Sequence, residues 1–219
     1  MVLRDRSGNT SDDEMFHVEL LRAAREAGRP LTEAEAGLLT THYRLLRHWS
    51  RRMNLTGLKD RESILRRHFL EPIVAATLLG DEGTLLDLGS GNGFLAVPLN
   101  ILHPGLQMIL VEASERKSMF LWELVREIGL KAARVETRRV CRRADLSDIL
   151  PVRWLTFRGI KASGLLRGPG PDLLQEGGRL LAFVSRGDAR EMHDLAPDLR
   201  WVEDRPLPDS PGDVVAVFR

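Results

Sequence analysis

One stretch limits this chain's fold more than any other, an apolar run that enters a loop with glycine at every second position: residues 83–94 read Gly-Thr-Leu-Leu-Asp-Leu-Gly-Ser-Gly-Asn-Gly-Phe. A run ending in Leu85, Leu86, Asp87 and Leu88 has the composition of a buried central strand. Gly89, Gly91 and Gly93 then remove the side chains that would keep a ligand off the backbone. A nucleoside-bearing ligand can lie directly on such a loop. The dinucleotide fingerprint G-x-G-x-x-G has another spacing, because Phe94 stands after Gly93 and the third glycine comes one residue too early.

The next segment supports a nucleoside site. Gln107–Val111 reads as a second buried strand with Glu112 at its carboxyl end, about twenty residues past the glycines, where a carboxylate accepts ribose hydroxyls. Dinucleotide and other nucleoside sites share that device, so Glu112 by itself specifies a ribose and no more. Ser114 caps a helix from Glu115 to Ile128 that Gly129 closes, which completes a βαβ unit.

The first eighty residues read as helical. Residues 1–14 are polar, mixed in charge and without an apolar core, and suggest a disordered arm. A helix is expected over Met15–Ala27, and Thr32 with Glu35 forms a capping box ahead of an amphipathic helix to about Met53. Asp60 caps a further helix that Pro72 should kink or restart. The expected organisation is an arm over 1–14, a helical extension over 15–80 and an α/β domain over 81–219. Further strands are expected at Ala133–Thr137, Trp154–Phe157 and Leu180–Val184, with a closing hairpin of Trp201–Glu203 and Val214–Phe218. The fold class is therefore α/β, a doubly wound, mostly parallel seven-stranded sheet that binds its ligand at the carboxyl ends of the strands.

Charge and cysteine content narrow the function. Net charge is +1, but Arg44–His68 carries eight Arg or Lys against two acids, and Lys131–Arg167 ten against three. On one face these segments would bind nucleic-acid phosphates; dispersed, they are solvated surface. Cys141 is the single cysteine, so no disulfide forms within the chain and a cytoplasmic location is expected. No membrane-spanning run and no paired metal-ligand spacing among the six histidines is present, and a monomer without metal is expected.

Asp87-x-Gly89-x-Gly91-x-Gly93 resembles motif I of the Rossmann-like S-adenosylmethionine (SAM) methyltransferases. Further pieces resemble one family among them, the bacterial small-subunit ribosomal RNA guanine-N7 methyltransferases, also called the glucose-inhibited division protein B family. Trp49 followed by Asn54-Leu55-Thr56-Gly57 is similar to its W-x(4)-N-L-T segment, and His68 with Leu70 to its H-x-L-D-S stretch. Val97-Pro98-Leu99 after the glycine loop, Lys117 with Phe120-Leu121, and Phe157-Arg158-Gly159 in place of S-R-A extend the likeness. The chain departs from the pattern at Glu71 and Pro72, where the family has Asp and Ser, and at Leu95-Ala96, where it has Pro-Gly.

The resemblance implies a SAM-dependent Rossmann-like domain behind a helical extension, acting on ribosomal RNA or the small subunit. It implies that Asp87, Gly89, Gly91, Gly93 and Phe94 hold the cofactor, Glu112 its ribose, and Arg158 its amino-acid end beside the reacting base. The adenine contact falls at Val140 and Cys141 or at Ala144 and Asp145. Asn54, His68, Lys117, Arg139 and Arg186 are the candidates for RNA contact. Guanine N7 carries a free lone pair, so methylation there needs no general base and rests on positioning. The chain has no N-P-P-[YF] motif for exocyclic amines, and Cys141 lies among arginines without a His partner, which agrees with that chemistry.

Overall fold

The fold of this chain, a computed structural model, describes residues 10–161, 163–167, 170–195, 198–208 and 210–219. Helix α1 (Thr10–Glu26) begins ahead of the expected Met15, so residues 10–14 are helical and not part of an arm. Asp12 and Asp13 favour the amino-terminal end of that helix electrostatically. Tertiary ties fix the extra turn: Tyr43 Oη donates to Asp12 at 2.9 Å and Arg61 Nη1 at 2.6 Å. Residues 1–9 of the expected arm lie outside the described residues. Helix α2 (Glu33–Ser50) carries the capping box of Thr32 and Glu35 and ends short of Met53.

Asp60 caps α3 (Arg61–Ile64), accepting from the Ser63 amide at 2.8 Å. The helix then widens into a π turn over Leu65–Leu70 and resumes as α4 (Glu71–Ala75). Pro72 explains the widening. It has no N–H to offer the His68 carbonyl and its ring would collide with that carbonyl in a regular α turn. In the wider turn the Glu71 amide reaches back to the Arg66 carbonyl. The turn rotates His68 and Glu71 relative to a regular helix, and both become buried.

The sheet begins with β1 (Thr84–Leu88), followed by α5 (Ala96–Leu102), β2 (Gln107–Glu112), α6 (Glu115–Ile128) and β3 (Ala133–Thr137). Then come β4 (Val152–Arg158), α7 (Ser163–Arg167), β5 (Leu174–Ser185), α8 (Arg186–Leu195) and the hairpin β6 (Trp201–Leu207) and β7 (Ser210–Phe218). The seven strands are ordered β3-β2-β1-β4-β5-β7-β6. The first five are parallel and β7 runs antiparallel to both β5 and β6. Strand order reverses at β1, flanked by β2 and β4, and that is the crevice where open α/β sheets take ligands. Strand β5 starts earlier than the expected Leu180; Gly177 and Gly178 interrupt its apolar pattern, and the β4–β5 register shifts between Val152 and Trp154.

Both sheet faces are covered, so the central strands alternate between two cores. Leu85, Met108, Leu110, Val215 and Val217 join the core beneath α5, α6 and the amino-terminal helices. Leu86, Ile109, Val111, Val214 and Ala216 face the opposite core with α7 and α8. Helix α2 packs on α5 and α6, so the helical segment shares a core with the sheet and is fixed over its ligand edge.

Candidate active site

The glycine loop leaves β1 with Gly89, Gly91 and Gly93 all in left-handed backbone, at φ +71°, +56° and +71°. A side chain at Gly91 would meet only the Gly89 carbonyl at 3.7 Å, so the backbone there faces open space. Gly93 is different: a Cβ would press within 3.2 Å of Leu121, Val97 and Leu124, so its glycine serves packing. Glu112 lies opposite. Its Oε2 accepts the Gly91 amide at 2.9 Å and its Oε1 the Ser114 amide at 2.8 Å. An ionised carboxylate has about four acceptor positions, which leaves capacity for two vicinal hydroxyls.

Asp87 stands behind the loop, buried between β1 and β4, where Thr156 Oγ1 donates to it at 2.7 Å. Burial raises its pKa to about 7, with the Glu112 charge adding in the same direction. Its side chain therefore braces the loop from within.

A second group forms at the end of β4. Arg158 Nη2 lies 2.6 Å from Glu71 Oε2, Nη1 donates to the Arg67 carbonyl at 3.1 Å, and the guanidinium sits 5.3 Å from the Phe94 ring centroid. Glu71 Oε1 accepts from Ser210 Oγ at 3.0 Å. Burial holds the Glu71 carboxyl above the ordinary carboxylate range against the pull of Arg158. The His68 ring packs 4.7 Å from Phe94 and its Nε2 pairs with Thr56 Oγ1 at 2.8 Å. Burial, aided by the Arg158 charge, pushes His68 down to about 3, so it is a neutral packing residue at the site. The π turn, the segment after α2, the glycine loop and β4 thus converge on Phe94.

The helical extension reaches the loop directly. His42 Nε2 lies 2.9 Å from the Asn92 carbonyl, and because a carbonyl only accepts, that nitrogen carries the proton. Asn92 Nδ2 donates to the Leu55 carbonyl at 3.4 Å, and its Oδ1 accepts the Phe94 amide at 3.2 Å. These contacts of His42 and Asn92 were not legible in sequence, nor was Ile160, whose Cγ2 fills the space a Gly89 side chain would need. Thr156 could be placed from strand alternation, two residues before Arg158.

The basic loop after β3 is more committed to structure than its composition suggests. Arg138 forks onto Asp148 at 2.7 Å, and Arg142 pairs with Asp145 at 3.4 Å. Arg143 is buried, donating to the Leu165 and Leu166 carbonyls at 2.8 Å and to Asp198 at 2.9 Å. These three arginines are therefore engaged within the chain, Arg143 entirely so, whereas Arg139 is exposed. Val140 is half-buried against the apolar core and Cys141 is exposed. Asp145 Oδ2 accepts the Cys141 and Arg142 amides at 2.8 and 3.1 Å, which draws on the acceptor capacity of the alternative adenine position. Lys117 lies in the first turn of α6, Asn54 is exposed after α2, and Arg186 is exposed at the start of α8. Among the described residues no cluster of three metal-ligating side chains occurs, and no helix is long and apolar enough to cross a membrane.

Beside Arg158 a cavity of about 590 Å³ opens between the ends of β4 and β5 and helix α8. Phe157, Leu166, Val184 and Met192 give it apolar walls, with Arg67, Arg158, Lys161, Asp188, Glu191 and Asp213 as its charged groups. Ile160, which covers Gly89, also lines this cavity and connects it to the glycine loop.

Comparison with known proteins agrees with this geometry. A family model described as rRNA small subunit methyltransferase G (GidB) matches residues 36–201. A protein of Stenotrophomonas maltophilia named ribosomal RNA small subunit methyltransferase G is 35% identical over 182 residues, 83% of this chain and 84% of that protein. One of the same name from Geobacter metallireducens is 31% identical over 205 residues, 89% of this chain and 90% of that protein. Among solved structures, a ribosomal protein L11 methylase from Lactobacillus delbrueckii aligns with a TM-score of 0.54 at 11% identity, covering 74% of this chain and 80% of its own. Aeropyrum pernix fibrillarin, solved with S-adenosyl-L-methionine, aligns at 0.52 and 16% identity, covering 67% and 74%. At such identities these structures speak to the fold, which is that of Rossmann-like SAM-dependent methyltransferases. With the match spanning the five parallel strands and the helix that carries His42, the chain belongs to the ribosomal RNA small subunit methyltransferase G family.

Proposed function

We propose that this protein transfers the methyl group of SAM to N7 of a guanine in small-subunit ribosomal RNA. The observation that carries the reading is the pairing of an open Gly91 backbone with a carboxylate, Glu112, oriented by two amides and still able to accept the ribose hydroxyls. These residues fit SAM. The glycines give its backbone-lined bed, Glu112 the ribose acceptor, Phe94 an apolar neighbour, and Arg158 a cation for its carboxylate. Val140 and Cys141 are the side chains proposed against the adenine, since the Asp145 carboxylate is already engaged with the chain.

When bound, SAM supplies an electrophilic methyl: the N7 lone pair forms the new N–C bond as the C–S bond breaks with its electrons going to sulfur, and no proton moves. The chain's own part is positioning and exclusion of water. Arg158 is held by Glu71 and the Arg67 carbonyl, so its guanidinium is fixed before any ligand arrives. The neutral histidines His42 and His68 hold the loop and Phe94 without adding charge. Exposed Arg51, Arg52 and Lys59 flank Leu55, whose carbonyl touches Asn92, and form with Arg139 the proposed RNA-facing cations. The partner is small-subunit RNA, free or assembled, met in the cytoplasm by a monomer.

The test is transfer of labelled methyl from SAM to small-subunit RNA that lacks the modification, with mapping of the product base. Label in 7-methylguanosine is expected, together with loss of SAM binding by Glu112→Ala on calorimetry. Transfer to another base, or none, would overturn the reading.

A further inference from the structure

Methylation at N7 places one edge of guanine toward the methyl donor and the opposite edge away from it. O6 adjoins N7, whereas N1–H and the N2 amino group lie across the rings and present donors only. A site for this base therefore needs apolar faces, a donor near the methyl, and acceptors on the far wall. The cavity beside Arg158 has that polarity. Arg158 and Lys161 stand on its β4 side, Phe157 and Met192 supply apolar surface, and Asp188 and Glu191 stand three residues apart on α8. Asp188 is pre-oriented: Ser185 Oγ donates to its Oδ2 at 2.8 Å and accepts its amide at 3.1 Å, which leaves Oδ1 unengaged.

From this geometry we infer that the cavity between β4, β5 and α8 is the pocket for the flipped target guanine, with Asp188 and Glu191 accepting from N1–H and the N2 amino group. The inference rests on the methyl-transfer reading above and adds the means of base selection. Enzymes that do chemistry on a base commonly take it from a single strand or out of the stack into a pocket that reads its Watson–Crick edge. Adenine is rejected because it turns an acceptor, N1, toward the carboxylates. The same carboxylates favour turnover. N7 gains a bond without losing a proton, so positive charge develops across the base, and acceptors opposite it interact more strongly at the transition state than before. Arg158 opposes that charge less than a lone cation would, because its guanidinium lies 2.6 Å from Glu71 Oε2. Of its five N–H donors, those not engaged by Glu71 and the Arg67 carbonyl serve O6 as well as the SAM carboxylate.

The test joins a binding and a transfer measurement on the parent, Asp188→Asn, Glu191→Gln and the double variant, each with thermal denaturation to establish folding. In saturation-transfer NMR with S-adenosylhomocysteine present, guanosine monophosphate should bind the parent in preference to adenosine monophosphate. The double variant should weaken it about tenfold or more. In methyl transfer, RNA with inosine at the target lacks the N2 amino group and should be a poorer substrate for the parent. For the double variant, inosine and guanine should be nearly equal, because the lost partner is the same. An inosine penalty of equal size in parent and variant, or equal binding of the two nucleotides by the parent, would overturn the pocket while leaving transfer to guanine intact. Absence of any transfer by the parent would instead overturn the underlying methyl-transfer reading and the pocket with it.

Discussion

Arg158 illustrates how much one residue depends on its partners. Its guanidinium meets a carboxylate, a carbonyl and an aromatic face at once, which the planar fork of arginine allows and an ammonium does not. Arg158→Lys is expected to lower the transfer rate about ten- to hundredfold through loss of alignment. Single-turnover kinetics read this, with SAM affinity measured separately; parental rates for the lysine variant would remove Arg158 from the site. Asp87 gives a pH signature. Its folded pKa, about 7, exceeds the unfolded value of 3.8. The folded chain therefore keeps a proton that the unfolded chain releases; the resulting stability is complete below the lower value and is lost as pH rises through the upper one. His42 runs oppositely, from 6.5 unfolded to about 4 folded, and its contribution is complete above 6.5 and lost as pH falls toward 4. Asp87→Asn should remove the first effect alone, so its melting temperature relative to the parent rises between about pH 4 and about pH 8. A pH-independent offset in thermal denaturation would show that Asp87 ionises normally.

Among the elements, the π turn has the most direct link to function. Pro72 makes a regular helix costly at this point, and the wider turn brings Glu71 to Arg158 and His68 to Phe94. Pro72→Ala restores an amide to the ladder and lets a regular α turn compete. Stability is expected to hold or increase, while transfer falls about tenfold or more as Glu71 and His68 rotate away. Circular dichroism with activity on the same sample checks this; full activity in a more stable variant would make the turn incidental. Sequence suggested a kink or restart at Pro72, but the direction of the rotated side chains depends on the elements packed around them.

Across the whole molecule, surface charge separates into cations that hold the fold and cations left for a partner. Arg143→Ala should lower the melting temperature, because three acceptors lose the donor that satisfies them. Arg139→Ala should leave melting unchanged and reduce the slope of log RNA affinity against log salt by about 0.7 if it meets one phosphate of single-stranded RNA. Filter binding across a salt series distinguishes them, and an unchanged slope for Arg139→Ala would place it among the solvated cations.

The sequence by itself determined the parallel sheet, the glycine loop, the acid at the end of β2 and the caps at Thr32, Asp60 and Ser114. Each is a local matter of backbone freedom, side-chain periodicity or a hydrogen bond closed within a few residues. It also carried the family likeness through Asn54-Leu55-Thr56 and Phe157-Arg158-Gly159. The start of α1, the division of the arginines into bound and free, the Glu71–Arg158 pair and the cavity lined by Asp188 were decided only by tertiary structure. Those features join residues distant along the chain, such as Glu71 with Arg158 and Ser210, or Arg143 with Asp198. Burial and opposite charge act through space, and only the packed sheet brings these groups within their reach.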